Sequence, residues 1–212
     1  MCVNGVTEMY AGGCMLGHAS PLRFLPCRAE CMAMPETAEW TPEMVFALPD
    51  DGRRYEIVDG ALVVTPSPGF EHQEAVVRLL MALRQYAAQE PDLLVLSSPA
   101  DLRAPRTMVQ PDLYAVPRDL ARTPFPWPLG RVLLAVEVLS PSNRRYDLVT
   151  KRQLYQDAGV ALYWIVDPVE QCVHVWHAGA PAAIIERDEL RWSPEGSAMI
   201  FRYPLSELFA PV

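Results

Sequence analysis

Glu137 is the single charged residue in the run from Val132 to Leu139, which is otherwise apolar. Such a run is typical of a strand that is covered on both faces. An isolated buried carboxylate is costly unless it is paired or binds a metal ion. Glu137 is therefore a candidate metal ligand. The alternative is a strand-end glutamate that reaches solvent or a structural arginine.

Asp112 follows Gln110 and Pro111 in a second β-rich run, over residues 108–116. The proline indicates an edge strand or a bulge, which re-aims the next side chain. Two carboxylates on neighbouring strand ends can share one hard cation, and Mg²⁺ prefers such oxygen ligands. A main-chain carbonyl near Val138 is a candidate third ligand. The alternative is that Asp112 only stabilises a turn.

Lys151 is the only lysine among the 18 lysine and arginine residues. Arginine cannot replace a compact point charge or a group that must change its protonation state. On a helix predicted over residues 144–158, Lys151 shares the inward face of Leu148 and Tyr155. The alternative is a surface ion pair with Asp147, which would stabilise the helix only slightly.

The elements around these residues predict an α/β domain with a mixed central sheet. Two β-rich runs flank Asp59-Gly60, which is typical of a hairpin. Apolar residues at helical spacing predict a helix over residues 71–89, and Gly159 ends the helix that carries Lys151. Further strands are predicted over residues 93–97, 161–166 and 172–176. The resulting order is ββ-α-βββ-α-ββ.

The composition favours one globular domain. With 212 residues, 50% of them hydrophobic, the chain can form one sizeable core and is too short to suggest two. No apolar run approaches the roughly 18 residues of a membrane span, so no membrane partner is expected. The formal net charge of −8 is unusual for a DNA-binding protein, although a local arginine patch is compatible with it.

Four of the five cysteines lie in the first 31 residues. The conceivable zinc ligands there are Cys14, His18, Cys27 and Cys31. Their spacings match no common zinc pattern. Residues 1–33 lack apolar periodicity, which predicts a poorly ordered extension before a single domain over residues 34–212. The odd cysteine count, with Cys172 in a core-like run, indicates a reducing cytoplasm.

Several short motifs occur in a fixed order over about residues 40–177. They are YEIVDG from Tyr55, His72, PD at residues 111–112, VEVLSPS from Val136, Asp147 with Lys151 and Tyr155, Gly159, and YWIVDP from Tyr163. This ordered set resembles the Uma-type family of restriction endonucleases, within the PD-(D/E)XK nuclease superfamily.

The resemblance implies a restriction-endonuclease-like mixed sheet flanked by helices, with additional β-hairpins. It implies hydrolysis of DNA phosphodiester bonds with Mg²⁺, or Mn²⁺, held by Asp112 and Glu137. The superfamily places its lysine two positions after the acid, where this chain has Leu139. Lys151 fits a displaced lysine that the following helix supplies.

The resemblance also implies catalytic positions at Glu56 and His72. The alternative for Glu56 is an ordinary hairpin glutamate. The alternative for His72 is a helix-start histidine that a turn carbonyl satisfies. Two other functions remain open on the sequence: a catalytically inactive relative that binds nucleic acid or a protein, and a metal-dependent hydrolase with another substrate. The negative net charge keeps the second open.

Two further groups of residues suggest contacts with macromolecules. Arg144, Arg145 and Arg152 could hold the DNA backbone, or could form a solvated helix face. Phe125 and Trp127 lie among prolines, where a polar loop is expected. They are predicted to pack at a homodimer interface or against substrate, with packing over the sheet edge as the alternative.

Overall fold

The computed structural model describes residues 39–65, 67–140 and 144–212. The predicted extension over residues 1–33, with its four cysteines, lies outside these ranges. Within them, no helix is both long enough and apolar enough to cross a membrane.

The described residues form more strands than helices. The helices are α1 (Pro42–Phe46), α2 (Phe70–Ala87), two 3₁₀-helices (Arg118–Arg122 and Leu129–Arg131), a π-helix (Tyr146–Lys151), α3 (Arg152–Asp157) and α4 (Leu205–Leu208). The strands are β1 (Arg54–Val58), β2 (Ala61–Thr65), β3 (Leu93–Ser97), β4 (Leu102–Ala104), β5 (Thr107–Val109), β6 (Leu113–Pro117), β7 (Trp127–Pro128), β8 (Leu134–Val138), β9 (Leu162–Asp167), β10 (Cys172–His177), β11 (Ile184–Glu186), β12 (Glu189–Trp192) and β13 (Phe201–Pro204).

A six-stranded sheet lies at the centre, in the order β11-β10-β9-β8-β6-β3. Only the β8–β9 pairing in it is parallel, and the other pairings are antiparallel. The parallel pair requires a crossover, which the π-helix and α3 provide. The predicted α/β class with a mixed central sheet is therefore confirmed.

The two faces of this sheet belong to two different cores. Side chains alternate along a strand, so neighbours on β8 face opposite ways. Val136 packs in the core beneath α2, where Leu79 and Leu83 are fully buried. Ala135 packs on the opposite face in a second core, together with Tyr155 of α3. The alternation places Glu137 on this second face.

A second sheet has the order β2-β1-β5-β4-β7. Its β1–β2 hairpin turns at Asp59-Gly60, where both residues have positive φ angles, 49° and 81°. The predicted hairpin is confirmed. By contrast, the single strand predicted over residues 108–116 is wrong. Pro111 has no N–H to donate, so the run splits into β5 of the second sheet and β6 of the central sheet.

Two other predicted segments differ from the structure. The helix predicted over residues 144–158 consists of the π-helix followed by α3. In the proline-rich loop, Trp127 is buried, forms β7 and pairs with β4, while Phe125 remains 51% exposed. The two rings stack with centroids 4.1 Å apart. Trp127 therefore packs over the sheet edge, which was the alternative prediction, and Phe125 alone remains available to a partner.

Candidate active site

Strand register brings Asp112 and Glu137 together. Leu113 of β6 pairs with Val136 of β8 in antiparallel register. One step further along this ladder, Asp112 lies across from Glu137, and opposed residues of an antiparallel pair share a face. Both carboxylates are buried, at 3% and 1% exposure.

Asp112 is held by three donors. Its Oδ1 accepts a hydrogen bond from Arg54 Nη1 at 2.9 Å, and its Oδ2 accepts one from the Val138 amide at 2.9 Å. His72 Nε2 lies 3.4 Å from Oδ2. Burial alone would raise the pKa of Asp112, but His72, Arg54 and the Val138 amide together lower it to about 2. Asp112 is therefore ionised at neutral pH.

Val138 presents its main chain to Asp112. The N–H and C=O of one residue in a strand project toward the same neighbouring strand. Because the Val138 N–H points to Asp112 Oδ2, the carbonyl of Val138 is directed to the same side. The third oxygen ligand expected from the sequence thus lies on the carboxylate side of β8.

Glu137 contacts the lone lysine. Lys151 Nζ lies 2.7 Å from Glu137 Oε1, and the Tyr155 hydroxyl donates to the same oxygen at 2.8 Å. Lys151 is 2% exposed, so the predicted alternative of a surface ion pair with Asp147 is wrong. The ammonium lies in the carboxylate cluster because the crossover between β8 and β9 passes over the face that carries Glu137.

Glu56 reaches the same cluster from the other sheet. It is fully buried, and its Oε1 accepts a hydrogen bond from the Gln110 amide at 2.7 Å. Lys151 Nζ lies 3.0 Å from the same oxygen. Glu56 is therefore more than an ordinary hairpin glutamate, since it connects β1 to the segment before Asp112.

Asp147 is a fourth buried carboxylate, and it was missed as a site residue. It lies on the π-helix with 0% exposure, and its Oδ1 is 3.9 Å from Lys151 Nζ. Neither of its side-chain oxygens has a hydrogen-bond partner among the described residues. π-Helical turns frequently occur at functional sites. Its position four residues before the inward-facing Lys151 was a signal for this burial, but an i,i+4 pair of opposite charges is more often a solvated surface pair.

Arg54 and Tyr155 were also missed as site residues. A usable signal existed for both. Arg54 precedes Glu56 by two positions on a strand, so the two share a face. Tyr155 follows Lys151 by four positions on a helix, so these side chains are neighbours.

The cluster has an excess of negative charge. Four buried carboxylates, Glu56, Asp112, Glu137 and Asp147, surround two permanent cations, Arg54 and Lys151. Burial raises the pKa of Glu137 to about 7 despite Lys151, and neighbouring acids add to the shift. Burial and the charge of Glu137 raise the pKa of Asp147 to about 9.

The donor set fits a divalent cation. Glu137 Oε2 and Glu56 Oε2 are buried oxygens without hydrogen-bond partners among the described residues. Two uncompensated charges in an oxygen-rich cluster match what a hard divalent ion supplies. Without an ion, the raised pKa values of Glu137 and Asp147 favour protonation, which reduces the excess.

The three arginines proposed for DNA contacts do not gather at these carboxylates. Arg144 contacts Asp167, and the Arg152 guanidinium lies over the Trp176 ring, 4.8 Å from its centroid. Arg145 is exposed. Their positions suit an outer surface of the crossover rather than the buried centre.

The chain is similar to known proteins in family and in fold. The family model of Uma2, described as "Putative restriction endonuclease", matches residues 42–198. Among solved structures, the chain is similar to a crystal structure of "a putative nuclease belonging to DUF820" from Anabaena variabilis. That likeness has a TM-score of 0.66 at 16% identity, and it covers 79% of this chain and 96% of that chain. No curated protein matches the chain.

Proposed function

Because the chain belongs to the Uma2 family, we propose that it is an Mg²⁺-dependent endonuclease that hydrolyses DNA phosphodiester bonds. The fold is restriction-endonuclease-like. One observation carries the proposal: the only lysine of the chain is buried 2.7 Å from Glu137. A single lysine in a chain that otherwise uses arginine, buried among carboxylates, supports a chemical role for its ammonium.

Asp112 and Glu137 would hold the metal ion, with the main-chain carbonyl of Val138 as a third ligand. A divalent ion there supplies Lewis acidity toward a phosphodiester and lowers the pKa of bound water. Asp112 is prepared for this role because Arg54, His72 and the Val138 amide keep it ionised. Mn²⁺, which accepts the same oxygen ligands, is the expected substitute.

Lys151 orients the attacking water or stabilises charge on the phosphate. In the structure its ammonium is shared between Glu137 Oε1 and Glu56 Oε1, at 2.7 and 3.0 Å. Glu56 is a positioning residue, because it contacts the ammonium from β1 while Glu137 contacts it from β8. Burial alone would lower the pKa of Lys151, but the surrounding carboxylates raise it well above the ordinary value of a lysine. The ammonium therefore stays charged and acts as an electrostatic donor.

His72 is placed to adjust the metal-binding aspartate. It lies at the start of α2, with Nε2 3.4 Å from Asp112 Oδ2 and with Nδ1 buried and unpartnered among the described residues. This geometry supports a role beside Asp112 rather than at a turn carbonyl. We assign His72 to orienting Asp112.

We further propose that the protein acts as a homodimer through Phe125, since two cuts are needed to cleave both DNA strands. Phe125 is 51% exposed and stacks on the buried Trp127. A rigid aromatic ring of this kind is a common anchor of an interface. Arg145, which is exposed on the crossover, is a candidate for contact with the DNA backbone.

The test is cleavage of plasmid DNA with Mg²⁺ or Mn²⁺ by the wild-type protein and by Glu137→Ala. We expect cleavage that depends on the metal and is lost in Glu137→Ala. Metal-dependent hydrolysis of a small phosphodiester without cleavage of DNA or RNA would instead support a hydrolase with another substrate. No hydrolysis of either, with retained nucleic-acid binding, would support an inactive relative.

A further inference from the structure

Three different metal-ligand types meet at the β9–β10 hairpin, and none of them belongs to the carboxylate cluster. Asp167 ends β9 and pairs in register with Cys172, which begins β10. His174 lies two positions after Cys172, so both side chains are on the same face of the strand. One ligand atom from each of the three residues lies within 4.8 Å of the other two.

Asp167 presents one fixed oxygen to this cluster. It is fully buried, and its Oδ1 accepts hydrogen bonds from the amides of Val169 and Glu170, at 3.2 and 3.1 Å. Its Oδ2 has no hydrogen-bond partner among the described residues. Arg144 Nη1 lies 2.6 Å from Oδ2, an ion pair without hydrogen-bond geometry. The turn thus orients the carboxylate and leaves Oδ2 to a cation.

Cys172 and His174 supply the softer ligands. Cys172 Sγ lies 3.9 Å from His174 Nε2. A cysteine sulfur and a histidine ring nitrogen are ligands that zinc prefers in proteins.

We propose that Asp167, Cys172 and His174 form a binding site for Zn²⁺. Sulfur, nitrogen and oxygen ligands together select zinc over Mg²⁺, which takes oxygen ligands. Three protein ligands leave the fourth tetrahedral position to water or to a bound group. The site shares no ligand with the metal site of the proposed nuclease, and the proposal does not depend on that function.

Arg144 is the resident counter-ion of this site in the metal-free protein. Its guanidinium neutralises Asp167, and its side chain is 43% exposed, so it can swing into solvent when a metal ion takes its place. Zinc and Arg144 therefore compete for Oδ2. An adventitious contact between zinc and a thiol would be insensitive to this arginine, whereas the proposed site is weakened by it.

The experiment compares Zn²⁺ binding by the full chain under reducing conditions in wild type and Cys172→Ser. Titration calorimetry gives stoichiometry and affinity, and Co²⁺ absorption reports thiolate ligation. We expect wild type to bind one more ion than Cys172→Ser, because the N-terminal cysteines contribute equally to both. Arg144→Gln should bind that ion several-fold more tightly. Identical binding by wild type and Cys172→Ser would overturn the proposal.

Two further variants provide a second ligand substitution and a control outside the zinc site. If Cys172→Ser fails to fold, His174→Gln replaces it, because His174 is only partly buried and tolerates exchange. It should weaken zinc binding by at least roughly tenfold. Glu137→Gln should bind this zinc like wild type, which separates the site from the nuclease centre. Loss of the ion in Glu137→Gln but not in His174→Gln would refute the assignment.

Discussion

Val136 and Glu137 are neighbours on β8, and they belong to opposite faces of the central sheet. Val136 packs with α2 in a core made of apolar side chains. Glu137 lies on the face of the crossover, among three other buried carboxylates and a buried ammonium. One face removes apolar surface from water, which stabilises the fold. The other holds charged groups out of water, which costs stability.

The difference shows how one strand can serve two purposes. Alternation of side chains lets the apolar face fix the strand in place, while the charged face is positioned by that same backbone. Substitutions on the two faces should therefore separate stability from activity.

The largest expected effect is on cleavage by Glu137→Gln. The amide cannot supply the negative charge that a metal ligand needs, so the cleavage rate should fall on the order of 10³-fold. A plasmid-cleavage assay measures this. Val136→Ala is the matched control, and its rate per folded molecule should remain within a few-fold of wild type. Equal losses in both variants would contradict the division between the faces.

Lys151→Arg should have the next largest effect, a loss of roughly 10²-fold in cleavage rate. Guanidinium keeps the charge but is planar and larger than an ammonium, so it cannot occupy the same position between Glu137 and Glu56. The variant should fold and bind metal like wild type, as measured by thermal melting and calorimetry. Cleavage within a few-fold of wild type would remove Lys151 from the mechanism.

Val136→Ala should lower the free energy of unfolding by roughly 1.5–3 kcal/mol, since Val136 is fully buried beneath α2. Urea denaturation followed by circular dichroism measures the loss. A Val136→Ala variant as stable as wild type would show that the apolar face contributes less than its burial indicates.

The pH dependence of the free energy of unfolding should reveal the buried carboxylates of the charged face without any substitution. The pKa of Glu137 rises from 4.5 to about 7 on folding, and that of Asp147 rises from 3.8 to about 9. The folded state then holds protons that the unfolded state has lost. The free energy of unfolding of the metal-free protein should fall as pH rises from about 5 to about 8. Saturating Mg²⁺ should reduce the slope, and a metal-independent slope would contradict the proposed site.

The smallest effect concerns Phe125, which belongs to neither face of the central sheet. Phe125→Ser should shift a homodimer toward monomer with little change in melting temperature, because half of this ring is already exposed. Analytical ultracentrifugation at micromolar concentration measures the shift. A wild-type protein that is monomeric there would refute the proposed interface.

Local sequence patterns predicted most helices and strands. They could not predict which distant strands pair with one another. Asp59-Gly60 determines its hairpin by backbone preference alone. Pro111 signalled an interruption, but not that the two halves would join different sheets. That outcome depends on which distant strands offer partners, and local propensity does not encode this.

The candidate site was predictable to the extent that residue type was unusual. Lys151 was conspicuous as the only lysine, and Glu137 as the only charge in an apolar run. Asp147 was less conspicuous, because its four-residue spacing from Lys151 also fits an ordinary surface pair. Its burial arises from the π-helix and from the crossover geometry, which form only in the folded chain.

Because the chain has a single lysine, Lys151 can also serve as a site-specific spectroscopic probe. Isotopic enrichment of lysine alone would give a magnetic-resonance spectrum with a single ammonium signal, and that signal would need no assignment. Because Lys151 is 2% exposed, its protons should exchange slowly enough to be seen. Binding of a metal ion or of DNA could then be followed at the Lys151 ammonium, because no other lysine would contribute a signal.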